Sequence, residues 1–349
     1  ATAIVIKESN NKFRVIFMQS ISVWEKVTVE QFKNEIVPQN KPVILKSLMG
    51  DWSAVKAAKE SSRAFADYIK SHDSKKEVSA LVGSPDIKGR FFYNKDLKSA
   101  NFKHKPVTLS VAVEHLMINI DKPNPNAIAL QAVQVRDVLQ KFDEENPQPL
   151  LDKSIAPTMW MGNQAMVAPH YDPYDNLAAV VAGRRKFTLF PPEQINNLYL
   201  GPLLNTPAGV PISMVDLLDP DFEQYPRFQQ ALDAGQEAVL EPGDAIYIPA
   251  LWWHAVQSLD KVNMLVNYWW DGITDSGISP SQSILHSMLT IAKLSPDKRA
   301  AWRHFFDYHV FQIHDDPKAH LPEDLKDITT TLDRKQKRQL RDFLISSLK

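Results

Sequence analysis

Between about residues 157 and 270, hydrophobic and polar positions alternate in short runs, and Gly or Pro residues separate the runs. Alternation with a period of two is typical of β-strands, and Gly/Pro turns between such runs are typical of antiparallel connections. The runs are TMWMGN, NLAAVVAG, RKFTLFPP, AVLEPGDAIYIP and MLVNYWW. We therefore predict that this region forms a β-sandwich or a small barrel.

The chain before residue 157 mixes helical and extended patterns. TVEQFKNEIV, SSRAFADYIKS and TLSVAVEHLMINI have the apolar spacing of amphipathic helices. KPVILKSL, EVSALVG, GRFFYN and NAIALQAVQV are strand-like. The prediction here is a helix-and-strand entry that leads into the β region.

The last part of the chain is predicted to be helical, because apolar residues recur there with helical spacing. We predict a mostly β domain with flanking helices at 1–277 and a C-terminal helical extension at 278–349. A polar segment with several prolines, at 193–236, interrupts the β region and is too long for a hairpin. Within it, YPRFQQALDAG predicts a helix, and the segment either walls a groove or simply packs on the domain.

Composition restricts the classes of function. The 349 residues include 40 Lys and Arg against 41 Asp and Glu, so the net charge of −1 indicates no attraction to DNA or to anionic membranes. The chain contains no cysteine, which excludes disulfides, thiolate zinc sites and cysteine nucleophiles. It has no apolar run long enough to span a bilayer and no secretory signal pattern, so we expect a cytoplasmic protein.

Two short segments carry the residues of a candidate metal site. APHYDPYDNLAAVV, at 168–181, places His170 and Asp172 two positions apart, so both side chains face one side of a strand. EPGDAIYIPALWWHAV, at 241–256, brings His254 to the end of another strand. Two histidines and one carboxylate form the facial triad that binds Fe(II) and leaves coordination positions open. We therefore predict that these three residues are metal ligands.

A cation for an anionic co-substrate lies in the strand RKFTLF. Arg185 and Lys186 are neighbours there, so one side chain should point into the barrel and the other to solvent. An arginine fork binds a carboxylate through two hydrogen bonds, whereas lysine offers a point charge. The alternation alone leaves both residues as candidates.

Four motifs give the chain a family resemblance: PHYDPYDN, GRRKFTLFPPEQ, EPGDAIYIPALWWHAV and VNYWW. On these motifs the chain resembles the JmjC-type, cupin-like (cupin-8) Fe(II)- and 2-oxoglutarate-dependent oxygenases. Within this family it looks most like the branch of the asparaginyl hydroxylase that inhibits hypoxia-inducible factor, with its bacterial relatives. A looser match, EQFKNEIVPQNKPVILKSLMGDWSAV, extends the resemblance to roughly residues 20–275. It implies a double-stranded β-helix, or jelly-roll, core.

The resemblance also implies roles for individual residues. His170, Asp172 and His254 would be the catalytic iron ligands, and Asn176 and Asn267 would line the 2-oxoglutarate pocket.

The usual 2-oxoglutarate lysine of the family lies 13 residues after the aspartate and five before the Phe of LFPP. Both counts fall on Arg185, which is our prediction for the ligand of the distal carboxylate. A shift of register by one residue would place Lys186 there instead.

Further positions follow from the same resemblance, and some depart from it. Trp269 falls beside the iron, and Gln131 falls where the hydroxylase has a glutamine near its substrate. Val167 stands where a threonine is expected, and Ala129 stands where a tyrosine is expected. Tyr93, in RFFYN, is our candidate to compensate in the pocket.

The resemblance implies hydroxylation of a protein or peptide side chain, with release of succinate and CO₂. Asp172 occupies the coordination position that a halide would need, which favours hydroxylation over halogenation. The alternatives are an oxygenase that acts on RNA or on a small molecule, and a non-catalytic cupin that binds a metal or ligand. The basic run RKQKRQLR, at 334–341, is better interpreted as the solvated face of an amphipathic helix than as an RNA site.

The C-terminal helices present apolar positions beyond the β domain. Relatives dimerise through such helices, so we predict a homodimer, and packing of the helices onto their own β domain is the alternative. The apolar positions are Ile284, Leu285, Met288, Leu289 and Ile291.

Overall fold

The computed structural model describes residues 3–7, 13–94, 96–203, 206, 209–270, 280–314, 316, 319–322 and 334–347, with the backbone alone for 3–7 and 13–17. The chain divides into two units, residues 1–272 and 273–349. The domain boundary that we predicted at 277/278 falls in a stretch outside the described residues.

The strands are, in chain order, β1 (Ala3–Lys7), β2 (Phe13–Phe17), β3 (Gln19–Ser20), β4 (Ser22–Glu25), β5 (Val43–Lys46), β6 (Val78–Gly83), β7 (Lys103–Val107), β8 (Ala127–Gln134), β9 (Pro157–Gly162), β10 (Met166–His170), β11 (Asp175–Ala182), β12 (Arg185–Phe190), β13 (Gln236–Leu240), β14 (Ala245–Ile248), β15 (Trp253–Ser258) and β16 (Asn263–Trp270).

The α-helices are α1 (Val29–Gln31), α2 (Ser53–Glu60), α3 (Ser62–His72), α4 (Leu109–Ile118), α5 (Val135–Val138), α6 (Phe142–Glu145), α7 (Phe228–Asp233), α8 (Pro280–Thr290), α9 (Pro296–His309) and α10 (Arg334–Ser347). A π-helical turn follows α1 at Phe32–Ile36, and four 3₁₀ turns lie at Val37–Gln39, Pro85–Ile87, Pro192–Asn197 and Ile291–Lys293. Among the described residues, no helix combines the length and the apolar character needed to cross a bilayer.

Two large sheets form the body of the first unit. One has nine strands in the order β4-β5-β14-β11-β16-β9-β8-β6-β7, and the other has five in the order β10-β15-β12-β13-β3. The pairs β4/β5 and β3/β13 are parallel, and the remaining pairs of both sheets are antiparallel. This arrangement confirms the predicted mostly β fold and is that of a jelly-roll core with flanking helices.

The alternation along each strand explains why the two sheets face each other. Phe187 and Leu189 of β12 pack inward against Ala178, Val180 and other apolar residues of the nine-stranded sheet. The position after Leu189, Phe190, points outward into a different apolar cluster. Burying one apolar face of each sheet against the other removes both from water, which drives this packing.

Helices cover the outer face of the nine-stranded sheet. Buried residues of α2, α3 and α4, such as Val55, Phe65 and Val113, join the largest apolar cluster together with residues of β9 and β11. Side-chain caps begin two of these helices, because the hydroxyls of Ser61 and Thr108 accept backbone N–H groups of their first turns.

The polar segment at 193–236 covers the outer face of the five-stranded sheet. Its residues Leu198, Val215 and Phe228 pack with Phe190 and Trp253 in one buried cluster. The predicted helix is present as α7. In its described part, the segment therefore packs on the sheet through an apolar core of its own.

One predicted strand is wrong. GRFFYN forms no strand, and Arg90 and Tyr93 take part only in isolated bridges, to Met166 and Ala100. The apolar side chains that suggested alternation face two different small clusters, because Phe91 packs with Leu81 while Phe92 packs with Ala168.

Candidate active site

The three predicted metal ligands lie together at one end of the space between the sheets. β10 pairs with β15 so that His170 stands directly opposite His254, and the two imidazole centroids are 4.2 Å apart. Asp172 follows β10, and its backbone carbonyl accepts a hydrogen bond of 2.8 Å from the amide of Leu251. One ligand atom from each of the three residues lies within 4.8 Å of the others.

Backbone carbonyls orient both imidazoles. Nδ1 of His170 lies 2.9 Å from the carbonyl oxygen of Ala168, and Nδ1 of His254 lies 3.0 Å from that of Trp252. Each Nδ1 therefore carries the proton and donates it, which leaves both Nε2 atoms as acceptors. Nε2 of His254 is 3.5 Å from Oδ2 of Asp172, so the free nitrogen of this imidazole and the carboxylate lie close enough to share one metal ion.

The protonation states suit a divalent cation. Burial lowers the pKa of His170 to about 4, so its imidazole is neutral at pH 7. Burial raises the pKa of Asp172, but its contacts with His254, His170 and Trp269 outweigh burial and hold the pKa below its usual value. Two imidazoles and one carboxylate are the donor set that suits Fe(II) in a facial triad.

The same residues line a cavity that continues toward β12, which we call the triad cavity. Its lining residues are Trp160, Val167, His170, Asp172, Asn176, Arg185, Phe187, Ile248, His254, Val256, Leu265, Asn267 and Trp269.

Arg185 is the only Lys or Arg among the lining residues of this cavity. Its side chain is buried, and Nη2 donates to the carbonyl oxygen of Trp160 at 3.2 Å. It has no carboxylate partner within 4.0 Å among the described residues. Burial lowers its pKa to about 9, so the guanidinium stays charged at neutral pH in a place where charge is costly.

Lys186 faces away from the triad cavity. Its Nζ lies 3.2 Å from Oε2 of Glu237, a buried carboxylate that also accepts a hydrogen bond of 3.3 Å from the hydroxyl of Thr188. The turn before β12 requires a glycine, because Gly183 has φ of +66° and a side chain there would meet Asn263 and the carbonyl of Val262. This turn sets the register that turns Arg185 inward.

The two asparagines that the resemblance placed in the pocket are hydrogen-bonded to each other. Nδ2 of Asn267 donates to Oδ1 of Asn176 at 2.7 Å, and both residues line the triad cavity. Oδ1 of Asn267 has no hydrogen-bond partner among the described residues.

The structure does not place every predicted residue in the cavity. Val167 lines it, whereas Gln131, Tyr93 and Ala129 are absent from its described lining. Tyr93 packs with Phe92, Ala168 and other residues on the outer side of β10. Gln131 lies at an irregularity in the pairing of β8 with β9.

One residue of the cavity, Trp160, is not among the site residues predicted from the sequence. Its side chain lines the triad cavity, and its ring meets that of Trp269 at 6.2 Å and 87°. Thr158 and Trp160 are two positions apart in one strand, which lies next to the strand of Asn267, so their side chains share a face of the sheet. The spacing alone does not show that this face is the inner one.

Four buried polar atoms that belong to cavity residues lack a hydrogen-bond partner in the described part of the chain. They are Trp160 Nε1, Arg185 Nε, Asn267 Oδ1 and Trp269 Nε1. Native proteins pair nearly all such atoms, so their concentration in one cavity is what a bound polar ligand or ordered water would satisfy.

A second, larger cavity of about 620 Å³ carries paired charges. We call it the ion-pair cavity, because Lys46 contacts Asp244 at 2.8 Å and Arg184 contacts Asp260 at 2.9 Å within its lining. Backbone N–H groups of Ser47 and Glu241 also donate to Asp244. These charges are satisfied by the protein itself.

The chain is similar to several known proteins. Human tRNA wybutosine-synthesizing protein 5 is 27% identical over 259 residues, which cover 70% of this chain and 76% of that protein. The lysine-specific demethylase JMJ31 of Arabidopsis thaliana is 38% identical over 130 residues, 37% of this chain and 23% of that protein. The JmjC domain-containing protein D of Dictyostelium discoideum is 25% identical over 254 residues, 67% of this chain and 52% of that protein.

The chain thus spans about a quarter and about a half of the last two relatives. The closer resemblance to the asparaginyl hydroxylase branch stays a prediction. Residues 29–276, most of the chain, match the family described as the cupin-like domain. The chain therefore belongs to the cupin-like domain family and is similar to its JmjC-type members.

Proposed function

We propose that this protein is an Fe(II)- and 2-oxoglutarate-dependent oxygenase that hydroxylates a protein or peptide side chain and releases succinate and CO₂. JmjC-type relatives are typically oxygenases of this kind. The observation that carries the proposal is one cavity with a His-Asp-His triad at one end and a buried, unpaired arginine in the same lining. A metal-chelating oxoacid with a second carboxylate matches both features.

The protein's residues would hold and orient the reactants. His170, Asp172 and His254 would hold the iron, with both imidazoles fixed by backbone carbonyls. Arg185 would bind the distal carboxylate of 2-oxoglutarate, and its apolar neighbour Phe187 would keep water from that contact. When bound, iron and 2-oxoglutarate together supply the oxidising chemistry, while the protein supplies binding, orientation and electrostatics.

Arg185 is preferred to Lys186 for this role. Lys186 is engaged by Glu237, on the other side of the sheet, so binding a co-substrate in the cavity would leave a buried carboxylate unpaired. Asn176 and Asn267 would line the co-substrate site, with the free Oδ1 of Asn267 available to a donor or an ordered water.

The test is release of succinate and CO₂ from 2-oxoglutarate by the purified protein with Fe(II), measured with and without a peptide library. We expect turnover that depends on both iron and 2-oxoglutarate and that a responsive peptide increases. Absence of turnover, combined with retained metal binding, would instead identify a non-catalytic cupin.

A second candidate function is oxygenation of tRNA. It is favoured by the similarity to tRNA wybutosine-synthesizing protein 5, which extends over 76% of the human protein. The same succinate assay with tRNA in place of peptides distinguishes the two, because only the true substrate raises coupled turnover and gains mass. If the substrate is a small molecule, neither the peptides nor the tRNA should gain mass.

We also propose that the C-terminal helices make the protein a homodimer. α8 and α9 bury none of their described residues, and large apolar side chains such as Leu289 (65% exposed) and Phe305 (59%) face outward. Exposed apolar surface on this scale marks an interaction site. Sedimentation at micromolar concentration should give a dimer, and Leu289→Glu should give monomers, whereas Gln282→Glu on the same helix should leave the dimer intact.

A further inference from the structure

The indole N–H of Trp160 is a buried donor that the fold leaves without a partner. Trp160 lies in β9, opposite Leu265 of β16, and its side chain lines the triad cavity. Nε1 has no accessible surface and no acceptor among the described residues. Leaving such a donor unpaired is costly, so its presence in a lining position requires an explanation.

The backbone of the same residue holds the arginine. Nη2 of Arg185 donates to the carbonyl oxygen of Trp160 at 3.2 Å, which fixes the guanidinium next to β9. Nε of Arg185 stays buried and unpartnered. Two free donors, one from β9 and one from β12, therefore belong to neighbouring residues of one cavity.

The chemistry of these donors defines what they can bind. Indole and guanidinium groups donate hydrogen bonds and accept none, so a matching ligand group must be an acceptor. Three other residues of the lining, Phe187, Val256 and Leu265, are apolar and contribute no side-chain donor or acceptor. A carboxylate accepts hydrogen bonds through two oxygens. Its negative charge would also pair with the guanidinium of Arg185, which has no carboxylate partner among the described residues.

We infer that Trp160 and Arg185 together bind the distal carboxylate of the oxoacid co-substrate, and that the Trp160 N–H selects dicarboxylic over monocarboxylic oxoacids. This inference rests on the proposed function, because it assumes that a 2-oxoacid chelates the metal at the triad. Trp160 is thereby a specificity residue of the co-substrate site.

The test compares two oxoacids on one variant. Trp160→Phe keeps an aromatic ring and removes the N–H. Binding of 2-oxoglutarate and of 2-oxopentanoate, which has the same carbon chain without the distal carboxylate, is measured by calorimetry on Mn(II)-loaded protein. We expect Trp160→Phe to weaken 2-oxoglutarate binding by about tenfold or more, which is typical of losing a hydrogen bond to a charged group, and to leave 2-oxopentanoate binding unchanged.

Trp270→Phe is the matched control. Trp270 stacks on Tyr247 and packs in the large cluster outside the cavity, so its loss should alter neither affinity. In ¹H–¹⁵N spectra, the indole signal that disappears in Trp160→Phe should move downfield when wild-type protein binds 2-oxoglutarate and stay in place with 2-oxopentanoate.

Each outcome has a separate meaning. Equal affinity of wild type and Trp160→Phe for 2-oxoglutarate would overturn the inference, as would equal losses for both oxoacids, which indicate a packing role. Failure of the wild-type protein to bind either oxoacid would instead contradict the proposed function itself.

Discussion

Two cavities of the β unit treat their charged groups in opposite ways. In the ion-pair cavity, Asp244 and Asp260 each meet a cation and at least one backbone N–H group, so the protein itself pairs both carboxylates. In the triad cavity, Arg185 has no carboxylate within 4.0 Å among the described residues, and one ligand atom from each residue of the triad converges. Volume alone would favour the larger ion-pair cavity as the site. The buried groups without a partner in the described part of the chain favour the smaller one, because leaving such groups unpaired is costly for folding.

The largest effect should come from removing a metal ligand. Asp172→Ala deletes the carboxylate of the triad, and we expect metal affinity to fall by more than the roughly 10–100-fold that outer hydrogen-bond partners contribute, with loss of turnover. Calorimetry with Mn(II) and succinate release measure the two quantities. His104→Gln, a histidine away from the triad, should change neither, and an equal loss in that variant would contradict the assignment.

Next in size is the removal of the unpaired cation. Arg185→Met should weaken 2-oxoglutarate binding by about 100-fold, because it removes a charge-assisted, potentially bidentate contact. Its melting temperature should stay the same or rise, since a buried charge without a carboxylate partner is replaced by an apolar side chain. Binding calorimetry and thermal unfolding of the metal-loaded protein test both.

Lys186→Met is the matched control for that experiment, because Lys186 is the adjacent cation on the opposite face. It should leave 2-oxoglutarate affinity unchanged and cost about 2 kcal/mol of unfolding free energy, since Glu237 would stay buried without its cation. If instead Lys186→Met weakened 2-oxoglutarate binding and Arg185→Met did not, the register of the co-substrate site would be shifted by one residue.

A smaller, purely structural effect is expected in the ion-pair cavity. Asp244 accepts hydrogen bonds from Lys46 and from the backbone N–H groups of Ser47 and Glu241. Asp244→Ala should therefore cost about 3 kcal/mol of unfolding free energy in urea titrations. Affinity for 2-oxoglutarate should not change, and a parallel loss of affinity would show that the two cavities are coupled.

The smallest effect concerns pH. The hydrogen bond from Arg184 holds the pKa of Asp260 below its ordinary value of 3.8 in the folded protein. The ionised carboxylate therefore stabilises the fold above pH 3.8, and this contribution is lost as pH falls through the lower, folded-state pKa. Because the pair is partly exposed, wild type should exceed Asp260→Asn by no more than about 1 kcal/mol at pH 6, and the difference should shrink as pH falls below 3.8.

Much of the fold followed from local pattern. Period-two alternation and Gly/Pro turns predicted β9, β11, β12, β13, β14 and β16, and apolar spacing predicted α3, α4 and α7. GRFFYN misled because its alternation matches that of a strand while its residues only bridge the edges of others. Pairing depends on a neighbouring edge, which a single segment does not reveal.

By itself, the sequence determined which residue types could chelate a metal, that Arg185 and Lys186 must face opposite sides, and which family the chain resembles. These are local properties, set by covalent spacing and by the geometry of a strand. Only the tertiary structure decided that Arg185 faces inward, that His254 meets His170 across β10 and β15, and that the N–H of Trp160 has no acceptor among the residues that the structure describes. The direction in which a side chain faces, the strand that pairs with it and its burial depend on contacts between segments far apart in the chain. They are decided by which surfaces the packed sheets remove from water.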